Sequence, residues 1–230
     1  PAIRLICPAA AKEISWGVNT CEVRLDSGEL ISARLVVAAD GMHSMVRAAA
    51  GIEARVVPAR QRAIVANFAC ALPHRGVAFQ WFRQDGTLAW LPLPGQHVSM
   101  VWSADDEVAG DILLASPSAL SARVASAGGG ILGELQLQNE PTEFPLSWLS
   151  VKKRVQERLA LIGDAAHTVH PLAGQGINLG LGDAQELASQ LRWAAAQKRD
   201  PGDLFHLRKF ERGRAEAILA MQVATRGLKE

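Results

Sequence analysis

The sequence predicts an α/β fold that is interrupted by a β-rich insert. Two short apolar runs, Arg34–Ala39 and Arg158–Ile162, are each followed by an Asp and a Gly, and such continuous runs are typical of strands buried on both faces. The residues between them alternate between apolar and polar and are punctuated by Pro and Gly, which indicates an antiparallel or mixed sheet. We therefore predict a dinucleotide-type domain formed by residues 1–57 and 149–230, with a β-sheet substrate domain at residues 58–148 inserted between them.

Local patterns assign the individual elements. Strands are predicted where residues alternate or form short apolar runs, at Cys21–Leu25, Arg34–Ala39, Arg62–Ala69, Val77–Phe82, Leu88–Leu93, His97–Trp102, Leu135–Leu137, Phe144–Trp148 and Arg158–Ile162. Helices are predicted between capping and breaking residues, at Arg47–Ala50, Ser116–Ala127, Gly176–Ala196 and from Asp203 toward Leu228. In the third of these helices one face is apolar and is expected to be buried, and it carries Leu179, Leu187, Leu191 and Ala194.

Composition narrows the classes of function. The net charge is +1 and the sequence has no long basic run, so we expect no nucleic-acid partner. The three cysteines have no paired spacing, which predicts a reducing, cytoplasmic environment. No apolar stretch reaches the length of about 18 residues that spans a bilayer. The chain begins at Pro1 without Met and closes directly after a helical pattern, so we expect a fragment of a longer protein.

Gly128–Gly133 matches the G-x-G-x-x-G pattern of dinucleotide-binding loops. Its context is reversed, because helical residues precede it and the residues that follow, Glu134–Gln138, alternate like a strand. A dinucleotide loop follows a strand and opens a helix, so that the helix N-terminus meets the pyrophosphate. We therefore predict no phosphate contact here and interpret the segment as a flexible surface loop.

Gly163 and Asp164 directly follow the second apolar run. Glycine has no Cβ and lets a ligand approach the backbone closely. Asp164 comes just past the strand end, where ligands of open α/β sheets bind. An ionised carboxylate only accepts hydrogen bonds, so Asp164 suits the hydroxyl donors of a ribityl or ribose chain. A Gly–Asp pair by itself is more often a tight turn, and the flanking strand and helix favour the binding site.

A glycine-rich loop leads from this turn into the long helix. Gly174 and Gly176 free the backbone there, and the amides of Gln175 to Asn178 would be unpaired donors of the first helical turn. Together with the helix dipole, such donors form a site that favours negative charge. Donors fixed in advance would stabilise the charge at the pyrimidine edge of a reduced flavin.

These segments carry a family resemblance. Gly163-Asp-Ala-Ala-His167 followed by Pro171-Leu-Ala-Gly-Gln-Gly-Ile-Asn178 resembles the flavin–ribityl motif of class A flavoprotein monooxygenases, and Val36–Arg47 resembles their second motif. His167–Pro171, Leu91–Leu93 and Ser99–Trp102 are most similar to the ubiquinone-biosynthesis branch, of the 2-octaprenylphenol or polyprenyl-methoxyphenol hydroxylase type. The resemblance implies an FAD/NAD(P)-binding domain of the para-hydroxybenzoate hydroxylase type. The family's N-terminal G-x-G-x-x-G loop is absent, so we expect the chain to be inactive on its own.

The resemblance also implies cofactors and residue roles. FAD would be the cofactor and NAD(P)H the co-substrate, with hydride passing to FAD, O2 forming a flavin C4a-hydroperoxide and an aromatic ring being hydroxylated. Gly163 and Asp164 would bind the ribityl chain, and Pro171 would line the reaction side. Asp40, Gly41 and Arg47 would lie near the pyrophosphate and the route of the nicotinamide. The residues expected against the isoalloxazine are Gly174, Gln175, Gly176, Ile177 and Asn178.

Several residues have a second interpretation. His167 and His170 are acid–base candidates, with helix entry or loop hydrogen bonding as the alternative. Their spacing also fits metal ligands, but no third ligand is nearby, so we predict no metal site. Arg47 could instead be a solvated helix residue. Trp90 and Trp102 could be core residues or the lining of a pocket for an aromatic substrate.

The resemblance leaves three functions open. The first is hydroxylation of a polyprenylated phenol in ubiquinone biosynthesis, the second is flavin-dependent hydroxylation of a soluble phenolic compound, and the third is a non-catalytic assembly module of the pathway. A lipophilic phenolic substrate leads us to expect peripheral contact with the inner membrane. Other ubiquinone-biosynthesis proteins and a second copy of the chain are further expected partners.

Overall fold

The computed structural model of the chain describes residues 3–169 and 174–227. The strands are β1 (Ala11–Trp16), β2 (Cys21–Leu25), β3 (Leu30–Ala33), β4 (Val36–Ala38), β5 (Ala54–Cys70), β6 (Phe79–Arg83), β7 (Gly86–Leu93), β8 (His97–Asp105), β9 (Leu135–Leu137), β10 (Thr142–Val151), β11 (Val155–Gln156), β12 (Leu159–Leu161) and β13 (His167–Thr168). The helices are α1 (Met45–Ala49), α2 (Asp106–Leu114), α3 (Pro117–Ala127), α4 (Gly176–Ala196) and α5 (Leu204–Gly227), and Gly163–Ala165 form a short 3-10 helix. The chain divides into two compact units, residues 1–57 with 148–230 and residues 58–147, and it passes between them within β5 and β10.

The first unit contains a sheet with the strand order β11, β12, β4. β12 runs parallel to β4, with Leu159 opposite Val36 and Leu161 opposite Ala38, and it runs antiparallel to β11. The two apolar runs of the sequence are therefore neighbours in one sheet. Because they are parallel, their carboxyl ends lie at the same edge. The same unit contains a separate antiparallel sheet of β1, β2 and β3.

Both faces of β12 are covered, which explains its uninterrupted apolar sequence. Leu159 and Leu161 pack in a cluster with residues of β4 and α1. Ala160, which points to the other face, packs in a second cluster with residues of α4 and α5, among them Phe210. All three residues of β12 are fully buried. Every side chain of a strand that is covered on both faces is buried. Polar residues at alternate positions would therefore destabilise β12.

The helices of the first unit match the sequence patterns closely. α4 has the predicted bounds, and its predicted apolar face is buried at Leu179, Leu187 and Ala194. α5 begins directly after Asp203, whose side chain accepts a hydrogen bond from the amide of Phe205 at 2.8 Å. The predicted cap at Asp203 is thereby confirmed. Within residues 3–169 and 174–227, no helix combines the length and the apolar character that crossing a membrane requires.

The second unit is built on antiparallel strands in the order β5, β8, β7, β6, with β9 paired to β5. β5 begins at Ala54, eight residues before the run that was predicted to start at Arg62. Arg60 has a left-handed φ of 53°, which interrupts the regular extended backbone of the strand. α3 starts as predicted, with Ser116 Oγ accepting the amide of Ala119 and proline in the first turn. α2 and α3 pack on the sheet through Ile112, Leu120 and Val124 in the core of this unit.

The glycine-rich segment of the second unit follows a helix and precedes a strand. Gly128 ends α3, and β9 begins shortly after Gly133, so the predicted order is confirmed. The expectation of a flexible surface loop was wrong at Gly128. A Cβ at this position would lie 2.1 Å from the ring of Trp90, which is fully buried. Close packing of the backbone on this indole therefore explains the first glycine of the pattern.

Candidate functional site

The carboxyl ends of β4 and β12 form one edge of the first unit. The amide of Ile162 donates to the carbonyl oxygen of Ala38 at 3.0 Å, so the strands stay paired up to the turn residues. Gly41 (φ 82°) and Gly163 (φ 57°) then take up left-handed conformations that residues with a side chain rarely adopt. The two sequence motifs, far apart along the chain, therefore meet at this edge as predicted.

A cavity of about 680 Å³ opens at this edge, and residues of both motifs line it. The lining residues that the sequence singled out are Gly41, Gly163, Asp164, Gly174, Gly176 and Ile177. A Cβ added at Gly41, Gly174 or Gly176 would meet nothing within 4 Å, so the cavity exposes bare backbone at these positions. Such a surface lets a flat ligand approach the main chain closely.

Asp164 lines this cavity from the short 3-10 helix that follows β12. Its side chain is exposed, and its carboxylate has no hydrogen-bond donor among the described residues. A carboxylate in this state can accept hydrogen bonds from the hydroxyl groups of a ligand. The side chain therefore has the position and the chemistry that the sequence predicts.

The N-terminus of α4 forms another wall of the cavity through Gly176 and Ile177. Gln175 occupies the N-cap position, and its side chain makes no capping hydrogen bond. The side-chain amide of Asn178 donates to Gln175 Oε1 at 2.9 Å. The amides of the first turn have no acceptors within the helix, and the helix dipole places partial positive charge there. This end of the cavity therefore favours an anionic or electron-rich edge of a ligand.

Asp40 and Arg47 are bound into the protein beside this edge. Asp40 Oδ2 accepts a hydrogen bond from the amide of Val46 at 3.1 Å, at the start of α1. Arg47 donates from Nη1 to the carbonyl oxygen of Ala165 at 2.9 Å and from Nη2 to that of Met42 at 2.7 Å. Arg47 therefore cross-links the two motifs and is not a solvated helix residue. The proximity of both side chains to a pyrophosphate stays a prediction.

His167 belongs to a buried polar network. Its Nε2 lies 2.6 Å from Asp183 Oδ2, and the two side chains are 2% and 1% exposed. Asp183 also accepts the amide of Gly163 at 3.0 Å and Arg214 Nε at 2.7 Å. Burial acts to raise the pKa of Asp183, but the hydrogen bonds from His167 and Arg214 outweigh it, so this pKa lies below its usual value. The carboxylate is ionised, and His167 Nε2 therefore donates to it.

This geometry favours the hydrogen-bonding interpretation of His167. His167 is not among the described residues that line the cavity, and its Nε2 is hydrogen-bonded to Asp183. A group that transfers a proton must reach the reacting atom directly or through one water. His170, the other acid–base candidate, and Pro171, the residue predicted on the reaction side, lie outside the described residues.

Asp183 and Arg214 are the residues of this region that the sequence prediction missed. Asp183 lies on the buried face of α4, at helical spacing between Leu179 and Leu187. An acidic residue on an otherwise apolar helix face is rarely buried without a partner, and that signal was available in the sequence. Arg214 lies on α5, and nothing local in the sequence identifies it as that partner.

Trp90 and Trp102 belong to the core of the second unit. Both side chains are fully buried in the cluster formed by the sheet with α2 and α3. Their strands, β7 and β8, pair with Leu88 opposite Trp102 and Trp90 opposite Met100, so both indoles lie on the covered face of the sheet. The structure therefore favours the core interpretation over a substrate lining.

Comparison with known proteins extends over most of the chain. Residues 17–219 match the family described as FAD binding domain. The chain is 35% identical over 228 residues to ubiquinone hydroxylase UbiL of Rhodospirillum rubrum, a match that covers 99% of this chain and 53% of that protein. It is 34% identical over 191 residues to 3-demethoxyubiquinol 3-hydroxylase of Escherichia coli, covering 83% of this chain and 49% of the relative. The chain thus spans about half the length of the curated relatives that it matches.

Solved structures support the same fold. PqsL of Pseudomonas aeruginosa superimposes with a TM-score of 0.79 at 24% identity, covering 96% of this chain and 62% of that chain. The predicted α/β fold of an FAD-binding domain and the resemblance to ubiquinone-biosynthesis hydroxylases are both confirmed. Because the family match takes in the Asp40–Gly41 turn, the Gly163–Asp164 turn and the long helix that follows, the chain belongs to the FAD binding domain family.

Proposed function

We propose that the protein is an FAD-dependent monooxygenase that hydroxylates the aromatic ring of a polyprenylated phenol in ubiquinone biosynthesis, using NAD(P)H and O2. The observation that carries this proposal is the 35% identity to a ubiquinone hydroxylase across 99% of the chain. The relatives named above act, by their names, on ubiquinone or a ubiquinol precursor. A lipophilic phenolic ring is the substrate class that this likeness supports.

The cavity at the β4–β12 edge has features that support a flavin site. Its glycines expose backbone where a Cβ would otherwise fill the space. The free carboxylate of Asp164 would accept the hydroxyl groups of the ribityl chain, and Gly163 would let that chain approach. The first turn of α4, from Gly176 to Asn178, would place amide donors against the flavin ring.

In this proposal the protein binds and orients while the cofactor supplies the chemistry. FAD, when bound, provides the redox and oxygen chemistry of the hydroxylation. Asp164 and the amides of α4 would hold the ring system in one orientation, and Ile177 with Leu181 would keep water from one side of the cavity. Asp40, Gly41 and Arg47 would shape the neighbouring wall, near the pyrophosphate and the approach of the nicotinamide. Pro171 is proposed on the reaction side.

The remaining assignments concern the domains and their surroundings. We assign residues 1–57 and 149–230 to FAD binding and residues 58–148 to the substrate. The described cysteines are free, which supports a reducing compartment such as the cytoplasm. A polyprenylated substrate resides in a membrane, so we propose peripheral contact with the inner membrane. Other proteins of ubiquinone biosynthesis and a second copy of the chain stay predicted partners.

The test has two stages. The protein is expressed from its complete reading frame and purified, and the proposal requires a yellow protein with a flavin absorption spectrum. A colourless, well-folded protein would contradict the assignment of the cofactor. The gene is then introduced into bacterial strains that are each blocked at one ring-hydroxylation step of ubiquinone synthesis. Restored ubiquinone in one strain assigns the ring position, whereas failure in all of them points to another substrate, such as a soluble phenol, or to an assembly role.

A further inference from the structure

Asp183 is a buried carboxylate outside the described lining of the cavity. Its two oxygens take up three donors, the amide of Gly163 at 3.0 Å, His167 Nε2 at 2.6 Å and Arg214 Nε at 2.7 Å. The donors belong to three different segments, the turn after β12, strand β13 and helix α5. One carboxylate on α4 therefore joins all of them.

The donor closest to the proposed cofactor site is the amide of Gly163. Gly163 lines the cavity and directly precedes Asp164, so the direction of its peptide helps to set where the Asp164 carboxylate lies. Gly180 packs against the same turn, and a Cβ added to Gly180 would lie 3.4 Å from the Cα of Gly163. Helix α4 therefore holds the turn by a close backbone contact and by the hydrogen bond to Asp183.

Arg214 holds the carboxylate in turn. Its Nε donates to Asp183 Oδ1 at 2.7 Å, and its Nη2 donates to the carbonyl oxygen of Leu179 at 3.2 Å. Gly182 makes room for this arrangement, because a Cβ there would lie 2.8 Å from Arg214 Nη2. The planar guanidinium can satisfy both acceptors only in one orientation. The position of the Asp183 carboxylate is thereby determined from the side of α5.

A network of this kind does more for position than for stability. Removing the charged groups from water costs free energy that offsets much of their mutual attraction. Well-packed apolar side chains in the same place often stabilise a core equally or better. Arg158 and Asp200 provide an internal comparison. They form a partly buried ion pair of 2.8 Å in the same unit, and Arg158 also donates to the carbonyl oxygens of Val18 and Arg34. None of these residues is among those that line the cavity.

We propose that Asp183 is a positioning residue for FAD binding, which holds the Gly163–Asp164 turn through the Gly163 amide and is itself held by Arg214. This proposal rests on the proposed function, in which the Gly163–Asp164 turn binds the ribityl chain of FAD. Asp183 and Arg214 are not proposed to touch the ligand themselves. They act through the backbone of Gly163, and His167 donates to the same carboxylate oxygen as the Gly163 amide.

The test compares three variants of the protein expressed from its complete reading frame. Asp183→Asn replaces one acceptor oxygen by a donor, so either Arg214 or both Gly163 and His167 lose their acceptor. Gly182→Ala keeps every charge and displaces the Arg214 guanidinium. Asp200→Asn breaks the comparison ion pair and serves as the control. For each protein we measure the dissociation constant of FAD, the thermal midpoint of the FAD-free form and the hydrogen exchange of the amides of Gly163–Ala166.

We expect Asp183→Asn to raise the dissociation constant of FAD by about tenfold or more, on the scale of a lost buried hydrogen bond. Gly182→Ala is also expected to raise the dissociation constant of FAD, because the new Cβ displaces the Arg214 guanidinium. Since alanine favours the helix, a loss of helix stability would not explain such a rise. Asp200→Asn should lower the thermal midpoint and leave FAD binding within about twofold of wild type, since Arg158 lies at the opposite end of β12 from Gly163 and the pair is outside the described lining of the cavity. Equal FAD binding in all three variants, or equal weakening in Asp183→Asn and Asp200→Asn, would overturn the proposal. If Asp183→Asn does not fold, Gly182→Ala decides.

Hydrogen exchange separates this proposal from the proposed function. If the wild-type protein binds no FAD, the cofactor assignment fails. Faster exchange at Gly163–Ala166 in Asp183→Asn, with unchanged exchange in Asp200→Asn, would still establish that Asp183 holds the turn. Unchanged exchange in both variants would refute that role whether or not FAD binds.

Discussion

Arg47 Nη1 donates a hydrogen bond to the carbonyl oxygen of Ala165 at 2.9 Å. The bond joins α1, which follows the first Asp–Gly turn, to the 3-10 helix of the second turn. Ala165 is fully buried, so its carbonyl oxygen has little access to water as a substitute. The two motifs that identify the family in the sequence are therefore physically connected.

Replacing Arg47 should destabilise the first unit. Arg47→Ala leaves the carbonyl oxygens of Ala165 and Met42 without their charged donor, and we expect a loss of about 1.5–3 kcal/mol in the free energy of unfolding. Urea denaturation measures this loss. Arg55→Ala is the control, because the side chain of Arg55 is exposed and makes no hydrogen bond to a described residue. Equal stability of the two variants would show that the cross-link contributes nothing.

Asp164→Ala should weaken FAD binding without lowering stability. The carboxylate is exposed at the cavity and supports no other described residue, so its loss affects only the ligand. We expect the affinity for FAD to fall by about 1–3 kcal/mol, which a fluorescence titration of the flavin would detect. Asp111→Ala removes an exposed aspartate of α2 and should change neither property. Unchanged FAD retention in Asp164→Ala would remove this residue from the site.

The Arg158–Asp200 pair should make stability depend on acid. The hydrogen bond from Arg158 lowers the pKa of Asp200 from 3.8 to about 2, so the pair stabilises the fold above pH 3.8 and loses this effect as the pH falls toward 2. The contribution should be roughly 1 kcal/mol, since a unit of pKa corresponds to about 1.4 kcal/mol and partial exposure screens the pair. Thermal midpoints from pH 6 downward would show a smaller acid-induced decrease in Asp200→Asn than in wild type. An identical decrease in both would contradict the assignment, and Glu53→Gln, at an exposed position, is the control.

Gly128→Ala should destabilise the second unit. Gly128 has a φ of −89°, which alanine adopts without strain, so the effect comes only from the 2.1 Å contact between the new Cβ and Trp90. Overpacking of this kind costs about 1–3 kcal/mol. Gly110→Ala in α2 is the matched control, because its Cβ would meet nothing within 4 Å and alanine favours a helix by up to about 1 kcal/mol. The thermal midpoint should fall in the first variant and rise in the second, and a rise in both would refute the packing argument.

Much of the fold follows from local sequence. The starts of α3 and α5 are marked by capping residues, and α4 is marked by the helical spacing of its apolar residues. These signals act within a few positions of the chain. The apolar run that became β12 is buried on both faces, as its composition predicts. The same prediction was wrong for the run that became β4, because Val37 is 40% exposed. Gly41 and Gly163 were recognisable because a left-handed turn selects glycine whatever its tertiary partners are.

The sequence by itself determined the family, the Asp40–Gly41 and Gly163–Asp164 turns and the elements that carry them, because each depends on neighbouring residues. Only the tertiary structure decided which side chains support the site. Arg47 reaches Ala165, and Asp183 reaches His167 and Arg214, through contacts between segments that are distant in the chain. It also decided that Trp90 and Trp102 are core residues, because their burial depends on strand register, which shifts a side chain to the other face with a slip of one residue.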